Sequence, residues 1–165
     1  MANKTLEDLF YETLKDIYYA ERQIVKALPK MARGAQDEKL KQAFLTHREE
    51  TEGQIDRLKQ IFELIGKRAQ GKTCDAIEGI LSEGEEILEE FKGTAALDAG
   101  LLAAAQAVEH YEISRYGTLR AWAKQLGLKD VVTLLEETLA EETKTDETLT
   151  TLATTAVNSA AQKAA

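Results

Sequence analysis

Four long segments of the chain carry apolar residues at the three-and-four spacing of one helical face, and each of those faces turns acidic at mid-length. The first reads Leu14, Ile17, Tyr18, Glu21, Ile24, Val25, Leu28, and the second Ala43, His47, Glu50, Gln54, Leu58, Ile61. The third reads Leu102, Ala105, Glu109, Glu112, Tyr116, Leu119, and the fourth Leu135, Leu139, Glu142, Asp146, Leu149, Ala153. Such helices must bury their apolar stripes against one another. The carboxylates inside those stripes must then take up a proton or meet a cation, because a dehydrated anion is costly.

Glycines mark where the helices stop. Gly34, Gly66, Gly93 and Gly127 each follow a periodic segment, the place of a left-handed C-terminal cap. Five helices are expected, over residues 6–33, 37–65, 74–91, 95–126 and 129–157, with a fraying tail from Asn158 onward. Thr5 and Asp8 form a weak capping box at the first, and Pro29 should kink its end. Gly53 and Gly117, inside helices, point to close helix approach.

Short turns at Gly34 and Gly127 make two antiparallel hairpins. The long connection through the third helix suits an all-α four-helix bundle with one crossover, in a single domain over residues 1–165. Glu21 and Glu50 each lie about 22 Å from the first turn, at 1.5 Å per residue. Glu112 and Glu142 stand at the same height from the second. The hairpins read as a pseudo-repeat, with Glu49-Glu50-Thr51 echoed by Glu141-Glu142-Thr143. No basic residue shares these faces at that level, since Arg22, Arg48 and Arg115 point elsewhere. Four glutamates would balance two divalent cations, and metal binding is favoured over a buried network of protonated or paired acids.

Net charge of -8 argues against nucleic acid and anionic membrane surfaces as partners. The sequence offers no signal core and no membrane-spanning stretch, which leads us to expect a cytoplasmic protein. Cys74, the only cysteine, reads as a small buried hydrophobe.

Several segments resemble a known family. TLEDLF near the start, AER around Glu21, HREETEGQIDRL from His47, AAAQAVEHYEISRYGTL from Ala103 and LLEETLAEETKTDETLTTLA from Leu134 are similar to the bacterial stress-protein family typified by YciF, within the ferritin-like superfamily. That family has no assigned activity. The resemblance implies a ferritin-like bundle and a dinuclear metal centre, with Glu21 and Glu112 as single-helix ligands and Glu50 and Glu142 as the leading acids of the other two helices. Di-iron relatives place a histidine three residues after such acids. Here Gly53 and Gln54 follow Glu50, and Thr145 and Asp146 follow Glu142. Glu109 adds a carboxylate of the kind some rubrerythrin-like sites have.

The expected ligand set is therefore Glu21, Glu50, Gln54, Glu109, Glu112, Glu142 and Asp146, nearly all oxygen. It favours two iron ions, with manganese the alternative, and leaves magnesium and calcium open. His47 reads as a supporting, hydrogen-bonded residue rather than a ligand, and His110 lies off the acidic face. Tyr18, Tyr116 and Trp122 read as bundle core. One functional reading is iron oxidation by dioxygen or peroxide in stress response. The other is a non-enzymatic structural or interaction protein with a vestigial or stabilising metal site. Storage in a multi-subunit shell is a weaker third. The resemblance also implies a homodimer.

Overall fold

The computed structural model describes residues 3–163; the outermost residues of the expected domain and tail, 1–2 and 164–165, lie outside it. The described residues are helical, with α1 at Leu6–Gly34, α2 at Glu38–Leu64, α3 at Asp75–Glu90, α4 at Leu97–Gln125 and α5 at Lys129–Leu152. A π-helical turn, Ala153–Val157, leads into α6, Asn158–Gln162. The segment from Asn158 is helical through Gln162, following the π-helical turn in which Ala153 and Val157 are buried.

The capping box forms as expected. Asp8 N–H donates to Thr5 Oγ1 at 3.2 Å, and Thr5 N–H donates to Asp8 Oδ2 at 2.8 Å. α1 continues through Pro29 to Gly34.

α1 packs on α2 and α4 on α5, and the two hairpins meet through α1 against α4 and α2 against α5. The crossover direction is fixed by Asp98, near the start of α4. Its Oδ1 and Oδ2 accept the backbone N–H groups of Gln36 (2.8 Å) and Asp37 (2.7 Å), pinning the start of α4 to the turn between α1 and α2. α4 therefore begins at the opposite end of the bundle from the end of α2, and α3 spans the bundle between them. α3 lies against α1 and α4, with Lys30 Nζ 3.0 Å from Glu85 Oε1.

The glycines divide by role. Gly66, Gly93 and Gly127 have φ of 67°, 76° and 73°, the left-handed conformation that ends a helix. Gly34 does not adopt it; it is the last residue of α1, and a Cβ there would run into the Leu88 side chain. Close approach of α3, rather than turn geometry, is the feature of this position, and the Leu88 side chain would have to move to admit a Cβ. The expected close contacts at Gly53 and Gly117 are absent, since a Cβ at either would meet open space. Gly34 and Gly100 pack beneath α3, and Gly71 packs on Tyr19, whose Cβ a built Cβ would meet at 3.2 Å.

Candidate metal centre

Half-way along the bundle the apolar core gives way to a buried acidic cluster. α1 contributes Glu21, α2 His47, α4 Glu109 and Glu112, and α5 Glu142, all buried. The three-residue spacing of Glu109 and Glu112 puts both on the inward face of α4, and Tyr116 follows one turn later. His47, Glu109, Glu112 and Glu142 can each offer one ligand atom such that all four lie within 4.8 Å of one another.

The cluster is not satisfied by its own hydrogen bonds. Both oxygens of Glu112 and of Glu142, Oε2 of Glu21 and of Glu109, and both ring nitrogens of His47 are buried without a hydrogen-bond partner. His47 Nε2 stands 3.0 Å from Glu109 Oε1 and 3.9 Å from Glu112 Oε2, but without hydrogen-bond alignment. Glu21 is tethered on one side, where Tyr116 donates its hydroxyl to Oε1 at 2.5 Å.

Electrostatics follow from that crowding. Burial pushes the Glu21 carboxyl up to about 7, although Glu112, Tyr116 and the His47 charge oppose it. Glu112 is raised by burial and by the charges of Glu142, Glu21 and Glu109. Glu142 is raised by burial and then by Glu109. Burial pulls the His47 imidazole down, but the carboxylates of Glu109, Glu50 and Glu21 outweigh it and hold it at about 10. A divalent cation would replace those protons, and a mainly oxygen set with one imidazole suits iron or manganese. The donor set therefore fits a metal.

The other predicted ligands stand further out. Glu50 lies at the rim, with Oε2 3.9 Å from His47 Nδ1 and accepting the Thr145 hydroxyl at 3.2 Å. His47 holds its carboxyl below the usual range. Gln54 is fully buried; its Nε2 donates to Glu141 Oε2 at 3.1 Å, and its Oε1 has no partner. Glu141 also accepts from Arg57, whose Nε donates to Thr138 Oγ1 at 2.9 Å. Asp146 Oδ1 is 3.0 Å from Nε2 of the exposed His110 and accepts from Gln106 at 3.3 Å.

Two residues take roles that periodicity did not assign. His47, read as a support, stands inside the acidic cluster, where a ring nitrogen could serve a metal; its signal was the three-residue spacing to Glu50, which puts both on one face. Tyr116, read as core, is also the hydrogen-bond donor to Glu21. Its place one turn beyond Glu112 was visible in the sequence, but its partner was not. Arg22 and Arg115 lie over the rings of Tyr18 and Tyr111, and Arg48 pairs with Glu52 at 3.2 Å, so the three arginines do point elsewhere.

Comparison with known proteins agrees with this architecture. Residues 5–162 match the model of the family described as "Domain of unknown function (DUF892)". The chain is 47% identical to Protein YciF of Escherichia coli over 166 aligned residues, covering 100% of both chains. The crystal structure of the E. coli stress protein YciF superposes with a TM-score of 0.90 at 48% identity, covering 94% of this chain and 99% of that one. YcfI of Rhodopseudomonas palustris, described as a candidate structural protein, gives 0.88 at 49% identity, covering 90% and 94%. A protein from Xanthomonas campestris shares the fold at 21% identity, with a TM-score of 0.74 and coverage of 96% and 97%. The all-helical bundle, the match across almost the whole chain and the near-half identity to YciF together place this chain in the DUF892 family, as a protein of the YciF type.

Proposed function

We propose that the chain binds a carboxylate-rich dinuclear metal centre, iron with manganese as the alternative, and serves in stress response. The observation that carries this reading is the set of buried, unpartnered oxygens and nitrogens on Glu21, His47, Glu109, Glu112 and Glu142. A buried cluster of this kind is costly unless protonated or neutralised by cations.

Glu109, Glu112, Glu142 and His47 would hold the metal, with Glu21 and Glu50 as flanking carboxylates and Gln54 and Asp146 tuning the surroundings. Bound iron would supply one-electron chemistry toward dioxygen or peroxide. The protein's part is to exclude water, orient the carboxylates and hold Glu21 through Tyr116. The test is iron(II) oxidation followed by absorbance. Turnover above the protein-free rate, lost in Glu112→Gln with Glu142→Gln, supports the oxidase reading.

A second reading is a structural or interaction protein whose metal only stabilises the bundle. The engagement of Gln54 with Glu141 and of Asp146 with His110 favours it, because both side chains are held away from the cluster, and the positions three residues after Glu50 and Glu142, Gly53 and Thr145, carry no imidazole. Stoichiometric binding without turnover would select it. Among the described residues no helix is long and apolar enough to cross a membrane. A cytoplasmic location and a homodimer complete the proposal, and sedimentation equilibrium tests the latter.

A further inference from the structure

The buried cluster approaches the surface between α2 and α5. A groove of about 380 Å³ there descends to His47 and Glu50, within the size range of small-molecule sites. His47 is only 4% exposed, lines the groove and has both ring nitrogens unpartnered. Ala43 and Leu152 provide apolar wall.

The charge of the groove runs against that of the molecule. Lys39 and Lys144 line it against a single carboxylate, Glu50, in a chain of net charge -8. Among the described residues the ion-paired lysines are others. The hydroxyls of Thr145 and Thr148 are already committed, to Glu50 and to the Lys144 carbonyl. Lys144 acts on Glu50, so with Lys39 the groove still carries more positive than negative charge, which repels a hydrated cation and attracts an anion.

We propose that this groove is the ligand-binding face of the centre and takes a small carboxylate or oxyanion, drawn by Lys39 and Lys144 toward the His47–Glu50 edge. The inference rests on the metal reading above and names the class of molecule that would meet the metal.

Cobalt(II)-loaded protein, titrated with acetate and separately with inorganic phosphate, tests it by the visible cobalt spectrum. At least one anion should shift the spectrum saturably, and the tighter binder distinguishes the carboxylate from the oxyanion. Lys39→Glu with Lys144→Glu should weaken that binding by about tenfold or more at unchanged cobalt stoichiometry. Ala43→Trp, which fills the groove, should abolish the shift while cobalt still binds. No shift with either anion, or a shift insensitive to both variants, would overturn the groove inference alone. Failure of the unaltered protein to take up cobalt would overturn the metal reading and the groove with it.

Discussion

Tyr116 on α4 donates its hydroxyl to Oε1 of Glu21 on α1 at 2.5 Å, and both residues are fully buried. The bond ties the two hairpins together at the level of the acidic cluster and leaves Oε2 of Glu21 free. Tyr116→Phe removes the donor and keeps the ring, so the buried carboxyl loses its partner. Urea unfolding of the metal-free variant should show a loss of about 1–3 kcal/mol, the usual cost of such an orphan.

Metal-free stability should fall as pH rises. Glu21, Glu112 and Glu142 are raised above the ordinary glutamate value of 4.5, so the folded state binds protons that the unfolded chain releases. Their contribution is complete below about pH 4.5 and is lost upward, for Glu21 through about 7. His47, held at about 10 against an ordinary 6.5, adds stability that is complete below 6.5 and lost between those values. Glu50, lowered, acts oppositely and only at acid pH. Melting in chelator from pH 5 to 9 should show a declining midpoint, and added metal, which needs the deprotonated ligands, should stabilise more at the alkaline end.

Removing one acid should stabilise the empty bundle while destroying the site. Glu112→Gln keeps the shape and deletes a carboxyl whose ionisation is opposed by burial and by the charges of Glu142, Glu21 and Glu109. At pH 8 in chelator it should gain about 1–3 kcal/mol by urea unfolding, and lose its response to added metal.

The glycines give a test independent of the metal. Gly53 and Gly117 sit in helices with open space around a built Cβ, so Gly53→Ala should stabilise by about 0.5–1 kcal/mol. At Gly100 a Cβ would meet Ile87 Cγ2 at 2.6 Å, and Gly100→Ala should destabilise by about 1–3 kcal/mol through displacement of α3. Thermal melts of the two variants should move in opposite directions.

These contrasts separate what the sequence made legible from what it did not. Glu21, Glu109, Glu112 and Glu142 were visible because a carboxylate in an apolar stripe breaks a local pattern, and periodicity is a property of each helix alone. The pairing of Gln54 with Glu141, of Asp146 with His110 and of Tyr116 with Glu21 joins different helices. Those contacts depend on rotation about each helix axis, which spacing does not determine. Gly34 shows the same limit: its place at a helix end was readable, but contact with Leu88 of α3 decided its role.

Elemental analysis of protein purified without chelators decides whether the buried cluster of His47, Glu109, Glu112 and Glu142 holds metal. Iron or manganese near two ions per chain is expected, as in carboxylate-bridged bundle centres, falling to background in Glu112→Gln with Glu142→Gln. Metal content near zero after loading with iron(II), or content unchanged in that double variant, would contradict it.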